Sequence, residues 1–162
     1  MLKAFDHQTH TTDFIVDKPR CLITSDPGTG KTRSVIDAFN KIKQSNSKML
    51  VLAPLSILEA SWGDDIKKFA PDLTFAFSYA KNRQAAFDKD VDIVITNHDA
   101  VKWLVKNIPV LKNFNMLCID EFTAFKNKDS QRSKAMLKVA KHFDRRVAMS
   151  GTPNSNTITD IW

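Results

Sequence analysis

Two short runs in this chain carry residue types that could do phosphate chemistry together. The first is Ser25-Asp26-Pro27-Gly28-Thr29-Gly30-Lys31-Thr32, which fits the pattern G-x-x-x-x-G-K-[ST] except at its first position, where Ser25 replaces glycine with another small residue. Gly28 and Gly30 let the backbone curl so that successive N–H groups point inward at a phosphate. The helix that follows, with Val35, Ile36 and Phe39, would add the partial positive charge of its N-terminus. Lys31 would then reach the β- and γ-phosphates of a nucleotide, and the Thr32 hydroxyl would ligate Mg²⁺. The whole stretch Asp26, Pro27, Gly28, Thr29, Gly30, Lys31, Thr32 and Arg33 is the candidate nucleotide-binding loop. The second run is Asp120-Glu121, directly after the apolar residues Met116 to Ile119. A phosphate loop needs one carboxylate for Mg²⁺ and one group to orient the attacking water. Asp120 suits the first task and Glu121, as general base, the second.

These residues can cooperate only if their elements deliver them to one place. Short apolar runs recur at Cys21–Ser25, Met49–Ala53, Leu73–Phe77, Asp92–Thr96, Met116–Asp120 and Arg146–Ser150. Runs of about five residues, mostly apolar throughout, suit strands of a parallel sheet covered on both faces. Between them lie helical periodicities: Val35, Ile36, Phe39 and Ile42, then Met136, Val139, Ala140 and Phe143. Strand alternating with helix predicts a three-layer α/β domain whose ligands sit at the carboxyl ends of the strands. Residues 1–162 read as a single domain, with no repeat, linker or low-complexity segment.

Composition narrows the class further. A hydrophobic fraction of 43% with 26% charged residues is that of a globular protein. No uncharged apolar run approaches the roughly 18 residues of a membrane span, so an intracellular, membrane-free setting is expected. Cys21 and Cys118 both fall within apolar strands and are expected as buried thiols, and the four histidines show no metal-ligand spacing. The net charge of +6 is unevenly placed, because residues 126–146 hold eight Lys/Arg against two Asp/Glu. On a helix over roughly residues 130–143, Lys134, Lys138 and Lys141 form one exposed stripe, with Arg145 continuing it if the helix extends. That stripe is either a solvated face or a non-specific contact for a polyanion. Trp62, Trp103 and Trp162 are scattered, and packing explains them better than base stacking.

Further segments carry a family resemblance. Phe5-Asp6-His7-Gln8 resembles the Q motif of helicase superfamily 2, and Leu52-Ala53-Pro54-Leu55-Ser56-Ile57-Leu58 looks like motif Ia. Ile95-Thr96-Asn97-His98-Asp99 sits where motif Ib would be. Asp120-Glu121-Phe122-Thr123-Ala124-Phe125-Lys126-Asn127 is similar to DEAHRIKN, the motif II of Swi/Snf-type DNA translocases. Met149-Ser150-Gly151-Thr152-Pro153-Asn154-Ser155-Asn156 resembles their motif III, LTGTPIQN. The order of motifs agrees, and they span nearly the whole chain. The resemblance implies a RecA-like P-loop sandwich with a mainly parallel sheet, the N-terminal ATP-binding lobe of a helicase or translocase. It further implies ATP and Mg²⁺ as cofactors and DNA as partner, duplex in preference to single strands. Gln8 would select adenine, Pro54, Ser56, Thr96, Asn97 and His98 would contact nucleic acid, and Ser150 and Thr152 would couple the two sites. A second RecA-like lobe, in cis or in trans, would supply the arginine fingers needed for hydrolysis, so the lobe alone is expected to be a weak ATP hydrolase.

Other readings compete. Thr96-Asn97-His98-Asp99 imitates the TKxD signature of small GTPases, but Asn97 replaces its lysine and no DxxG follows Asp120. A P-loop kinase acting on a small molecule accounts for the phosphate loop but not for the Q-like and Ser150-Gly151-Thr152-Pro153 segments. A nucleotide-dependent nucleic-acid-binding module without turnover of its own shares every motif above. Within motif II the departure that matters is Thr123, at the fourth position, normally held by His or Asp.

Overall fold

The computed structural model describes residues 3–24 and 30–151. Six strands, β1 (Arg20–Thr24), β2 (Met49–Ala53), β3 (Phe75–Ser78), β4 (Ile93–Asn97), β5 (Met116–Ile119) and β6 (Arg145–Ser150), form one sheet in the order β1-β6-β5-β2-β4-β3. Every neighbouring pair is parallel. The helices are α1 (Asp6–Asp17), α2 (Lys31–Ile42), α3 (Asp64–Phe69), α4 (Arg83–Asp88), α5 (Ala100–Leu104) and α6 (Gln131–Ala140).

Side chains alternate across the central strands and feed two cores. Met49, Val51 and Ala53 of β2 join Val35, Ile36 and Phe39 of α2, Ile15 of α1 and Ile66 of α3 on one face. Leu50 and Leu52 join Val101 and Leu104 of α5 and Met136 and Val139 of α6 on the other. This is the three-layer sandwich the sequence predicts, and the fully apolar β2 and β5 are the strands buried on both sides. Cys21 and Cys118 are buried free thiols, and burial pushes the Cys21 thiol up to about 11. Among the described residues no helix is long and apolar enough to cross a membrane.

Two boundaries differ from the sequence reading by more than one residue. The third strand begins at Phe75 rather than Leu73, because Leu73 closes a turn onto the Ala70 carbonyl. Thr74 is then pinned by the Asp92 carboxylate, which accepts from its N–H at 2.8 Å. The last helix ends at Ala140, where the chain tightens so that His142 and Phe143 donate three residues back. Arg145 consequently belongs to β6 and not to the lysine stripe, leaving Lys134 and Lys138 exposed along α6 and Lys141 exposed at its C-cap.

Candidate nucleotide site and its surroundings

The sheet order decides which residues meet. β1, which leads into the phosphate loop, and β5, which ends at Asp120-Glu121, are the two neighbours of β6. In a parallel sheet all carboxyl ends lie along one edge, so Thr24, the last described residue before the loop, and the acidic pair flank the end of β6. Ser150, buried at that end, pairs in register with Thr24 and stands between the two halves. Asp26, Pro27, Gly28, Thr29 and Thr152 lie outside the described residues.

Gly30 caps α2 in the left-handed region, with φ 77°. Lys31 and Thr32 follow, half-buried in the first turn. A Cβ at residue 30 would collide with the amide nitrogen of Gln8, so the Gln8 side chain lies directly across the loop glycine. Gln8 is held there from both ends. Its Oε1 accepts from the Phe5 N–H at 2.9 Å, and its carbonyl accepts from the Ser34 hydroxyl of α2 at 3.3 Å. Phe5 itself is 70% exposed and stacks on His7. Arg33 turns away from the loop's mouth: its guanidinium lies 4.3 Å from the Phe69 ring centroid and pairs with Asp37 at 3.3 Å.

The two acids face different surroundings. Asp120 is 7% exposed, and its N–H donates to the Leu52 carbonyl at 2.7 Å. Its Oδ2 accepts from the Trp62 indole N–H at 2.9 Å. Burial raises its pKa, while the Trp62 bond and the positive charge of Lys31 pull it back. Glu121 is exposed and sits at φ 56°, a left-handed conformation that costs a side-chain-bearing residue energy. That conformation opens the short 3-10 turn Phe122–Phe125. Trp62 is the residue the sequence reading undervalued. It packs in the core as expected, but the bond to Asp120 joins positions 58 apart in the chain, with no local signal.

The residues assigned to nucleic acid divide by exposure. Ser56 is exposed and Pro54 half-buried at the turn Leu55–Ile57, beside Leu55, which is also exposed. Asn97 is half-buried and accepts from Arg83 at 3.1 Å. Thr96 is fully buried, with its hydroxyl donating to the Ser78 carbonyl at 2.8 Å and accepting from Arg83 at 3.0 Å. His98 lies beneath the acidic pair, where its Nε2 is 2.7 Å from the Asp120 carbonyl. A carbonyl can only accept, so Nε2 carries the proton, and burial pushes the imidazole pKa down. The Thr96 and His98 side chains are therefore internal struts, not surface contacts.

Can this site hold Mg²⁺? The buried Asp120 carboxylate and the Thr32 hydroxyl would offer a sparse oxygen set, the chemistry that suits an ion retaining its waters and sharing phosphate oxygens. Among the described residues no cluster of three His, Cys, Asp or Glu offers an all-protein cage.

Comparison with known proteins agrees with this geometry. The chain is 30% identical over 148 residues to a Bacillus subtilis protein named putative ATP-dependent helicase/translocase YwqA, covering 86% of this chain and 16% of that protein. It is 28% identical to the Saccharomyces cerevisiae transcription regulatory protein SNF2, covering 87% of this chain and 9% of that one. The Sulfolobus solfataricus SWI2/SNF2 ATPase core in complex with dsDNA superposes with a TM-score of 0.82 at 27% identity, over 99% of this chain and 34% of that one. The chain thus spans a small part of its relatives' length, and its fold is that of the RecA-like ATPase core. The SNF2-related domain family matches residues 7–162, and the chain belongs to that family.

Proposed function

We propose that this domain binds ATP·Mg²⁺ and, completed by a second RecA-like lobe in cis or in trans, hydrolyses it to move on or remodel duplex DNA. The observation that carries the reading is the convergence on β6: Lys31 and Thr32 on one side, Asp120 and Glu121 on the other, with the Lys31 charge acting on the Asp120 carboxylate. Lys31 neutralises phosphate charge as it builds up. Thr32 and Asp120 hold Mg²⁺, which supplies further charge neutralisation at the phosphates. Glu121, exposed beside Asp120 in sequence, accepts the proton of the attacking water. Gln8 presents its amide beside the loop glycine, where an adenine edge offers both a donor and an acceptor, and the exposed Phe5 ring offers an adjoining stacking surface. Ser56, Pro54 and Asn97 contact the DNA backbone, braced by Thr96 and His98. Ser150, with Thr152 after it, couples the two sites from its place between the halves. An intracellular setting follows from that substrate.

Nucleotide titration tests the reading. The domain is expected to prefer ATP to GTP, and Lys31→Ala to weaken ATP binding about tenfold or more, the scale on which a charge-assisted hydrogen bond contributes. Equal affinity for ATP and GTP overturns the role of Gln8. Unchanged ATP binding in Lys31→Ala overturns the phosphate site itself.

A further inference from the structure

A buried indole N–H needs an acceptor, and most find a backbone carbonyl or water. Trp62 instead donates to a carboxylate that is itself 7% exposed. The segment that carries it is unusual. Leu58–Gly63 is a π-helical turn between the 3-10 turn Leu55–Ile57 and α3. The wider π turn changes the direction in which successive side chains leave the backbone, a device concentrated at functional sites. Gly63 closes the turn against Phe77, where an added Cβ would lie 2.7 Å from the ring's Cζ, so the turn is wedged against β3. Trp62, with no exposed surface, is fixed within the same core as Leu58 and Ile66. The indole is thus a rigid donor aimed at a side chain that would otherwise turn about its final bond. Asp120 is held at its other end as well, since its N–H and carbonyl are bonded to Leu52 and His98.

We propose that Trp62 is a positioning residue for the Mg²⁺ site: its indole N–H fixes the rotation of the Asp120 carboxylate so that the metal meets a preset ligand. The proposal rests on the reading of Asp120 as the Mg²⁺ carboxylate. Partners that orient a metal ligand are worth roughly 10–100-fold in metal affinity when removed. Trp62→Phe keeps an aromatic ring and deletes the donor.

The experiment measures ADP affinity with Mg²⁺ and with EDTA in wild type, Trp62→Phe, Asp120→Ala and the double variant. Trp62→Phe is expected to lose about tenfold of the Mg²⁺-dependent affinity while binding in EDTA stays within about twofold. Added to Asp120→Ala it is expected to change nothing further. A loss of equal size in EDTA, or of equal size in the Asp120→Ala background, makes Trp62 a packing residue and overturns the proposal. Asp120→Ala that keeps full Mg²⁺ dependence overturns the underlying reading of Asp120, an outcome distinct from a silent Trp62→Phe. The wild-type protein gives an independent check if Trp62→Phe does not fold. The Trp62 indole ¹H–¹⁵N resonance, assigned by substituting Trp103 and Trp162 with Phe, is expected to shift on adding ADP with Mg²⁺ and not with ADP in EDTA. A resonance unmoved by Mg²⁺·ADP overturns the proposal.

Discussion

Asp120 shows how a binding site is built at the expense of the free domain. Its carboxyl pKa is raised above the ordinary 3.8, chiefly by burial. A carboxyl whose folded pKa is raised holds its proton more tightly in the folded state than in the unfolded one. Stability therefore falls as pH rises from the ordinary carboxylate range through the raised value, and stays reduced at neutral pH. Asp120→Asn, which keeps an acceptor for the Trp62 indole, is expected to raise the melting temperature of the nucleotide-free domain at pH 7 by a few degrees. That is the scale on which about 1 kcal/mol moves a domain of 150–250 residues. The gain should shrink as pH is lowered into the range where Asp120 is protonated, and melting curves across pH check both points. A gain that persists unchanged in acid would point to a cause other than ionisation. Much at this scale was legible from types and spacing, because a Gly-rich loop before a helix and an acidic pair after a strand are local signals. What was not legible is pairwise and distant: the Trp62–Asp120 bond, the contact of His98 with the Asp120 carbonyl, and the placement of Arg33 over Phe69.

Among the elements, α1 depends on its surroundings more than its sequence suggests. It has no basic residue in its last turn, and its first-turn geometry is set by Gln8 reaching back to Phe5. Its C-terminal carbonyls are met from outside, by Arg145 of β6, which donates to Ile15 at 2.6 Å and to Val16 at 3.3 Å. A cation at a helix C-terminus also complements the helix dipole. Arg145→Leu is expected to cost about 1–3 kcal/mol, the range for hydrogen bonds made by a charged group. Amide exchange at the end of α1 should quicken, and the preference for ATP over GTP should narrow because Gln8 rides on this helix. Exchange rates left at wild-type values would show that α1 is held by its packing on α2 alone. The strands were legible to within about two residues because each is a compact apolar run. The sequence reading left Arg145 open, on the stripe only if the helix extended, because helical periodicity gives no sign of where a helix stops; here a tightened turn, with neither glycine nor proline, ends it.

For the whole molecule, charge and topology matter separately. The excess positive charge lies in residues 126–146, with Lys134 and Lys138 exposed on α6 and Lys141 exposed at its C-cap. Replacing all three with Gln is expected to lower DNA affinity modestly and leave ATP binding unchanged. The magnitude of the salt slope should fall by about 0.9 for each duplex phosphate that these lysines no longer neutralise. Identical slopes for wild type and variant would return the stripe to solubility alone. The family's motif order and α/β alternation were readable along the chain; the order of strands was not, since it arises from pairings between distant segments.

That order has a consequence in time. β6 is the last of the six strands in sequence, yet it fills the slot between the first strand and the fifth, and among the described strands β1 pairs with β6 alone. During synthesis β2 to β5 can assemble in turn, while β1 and the phosphate loop it carries wait without a neighbour until residue 150 has emerged. Until then two strand edges stand open, the condition under which nascent chains pair wrongly or need a chaperone. A chain cut after Asp144 is expected to keep much of its helical signal but to bind no ATP and to aggregate, and restoring residues 145–151 should reverse both defects. Sedimentation and nucleotide titration of the two lengths check it. The nucleotide site thus waits on the strand that the ribosome delivers last of the six.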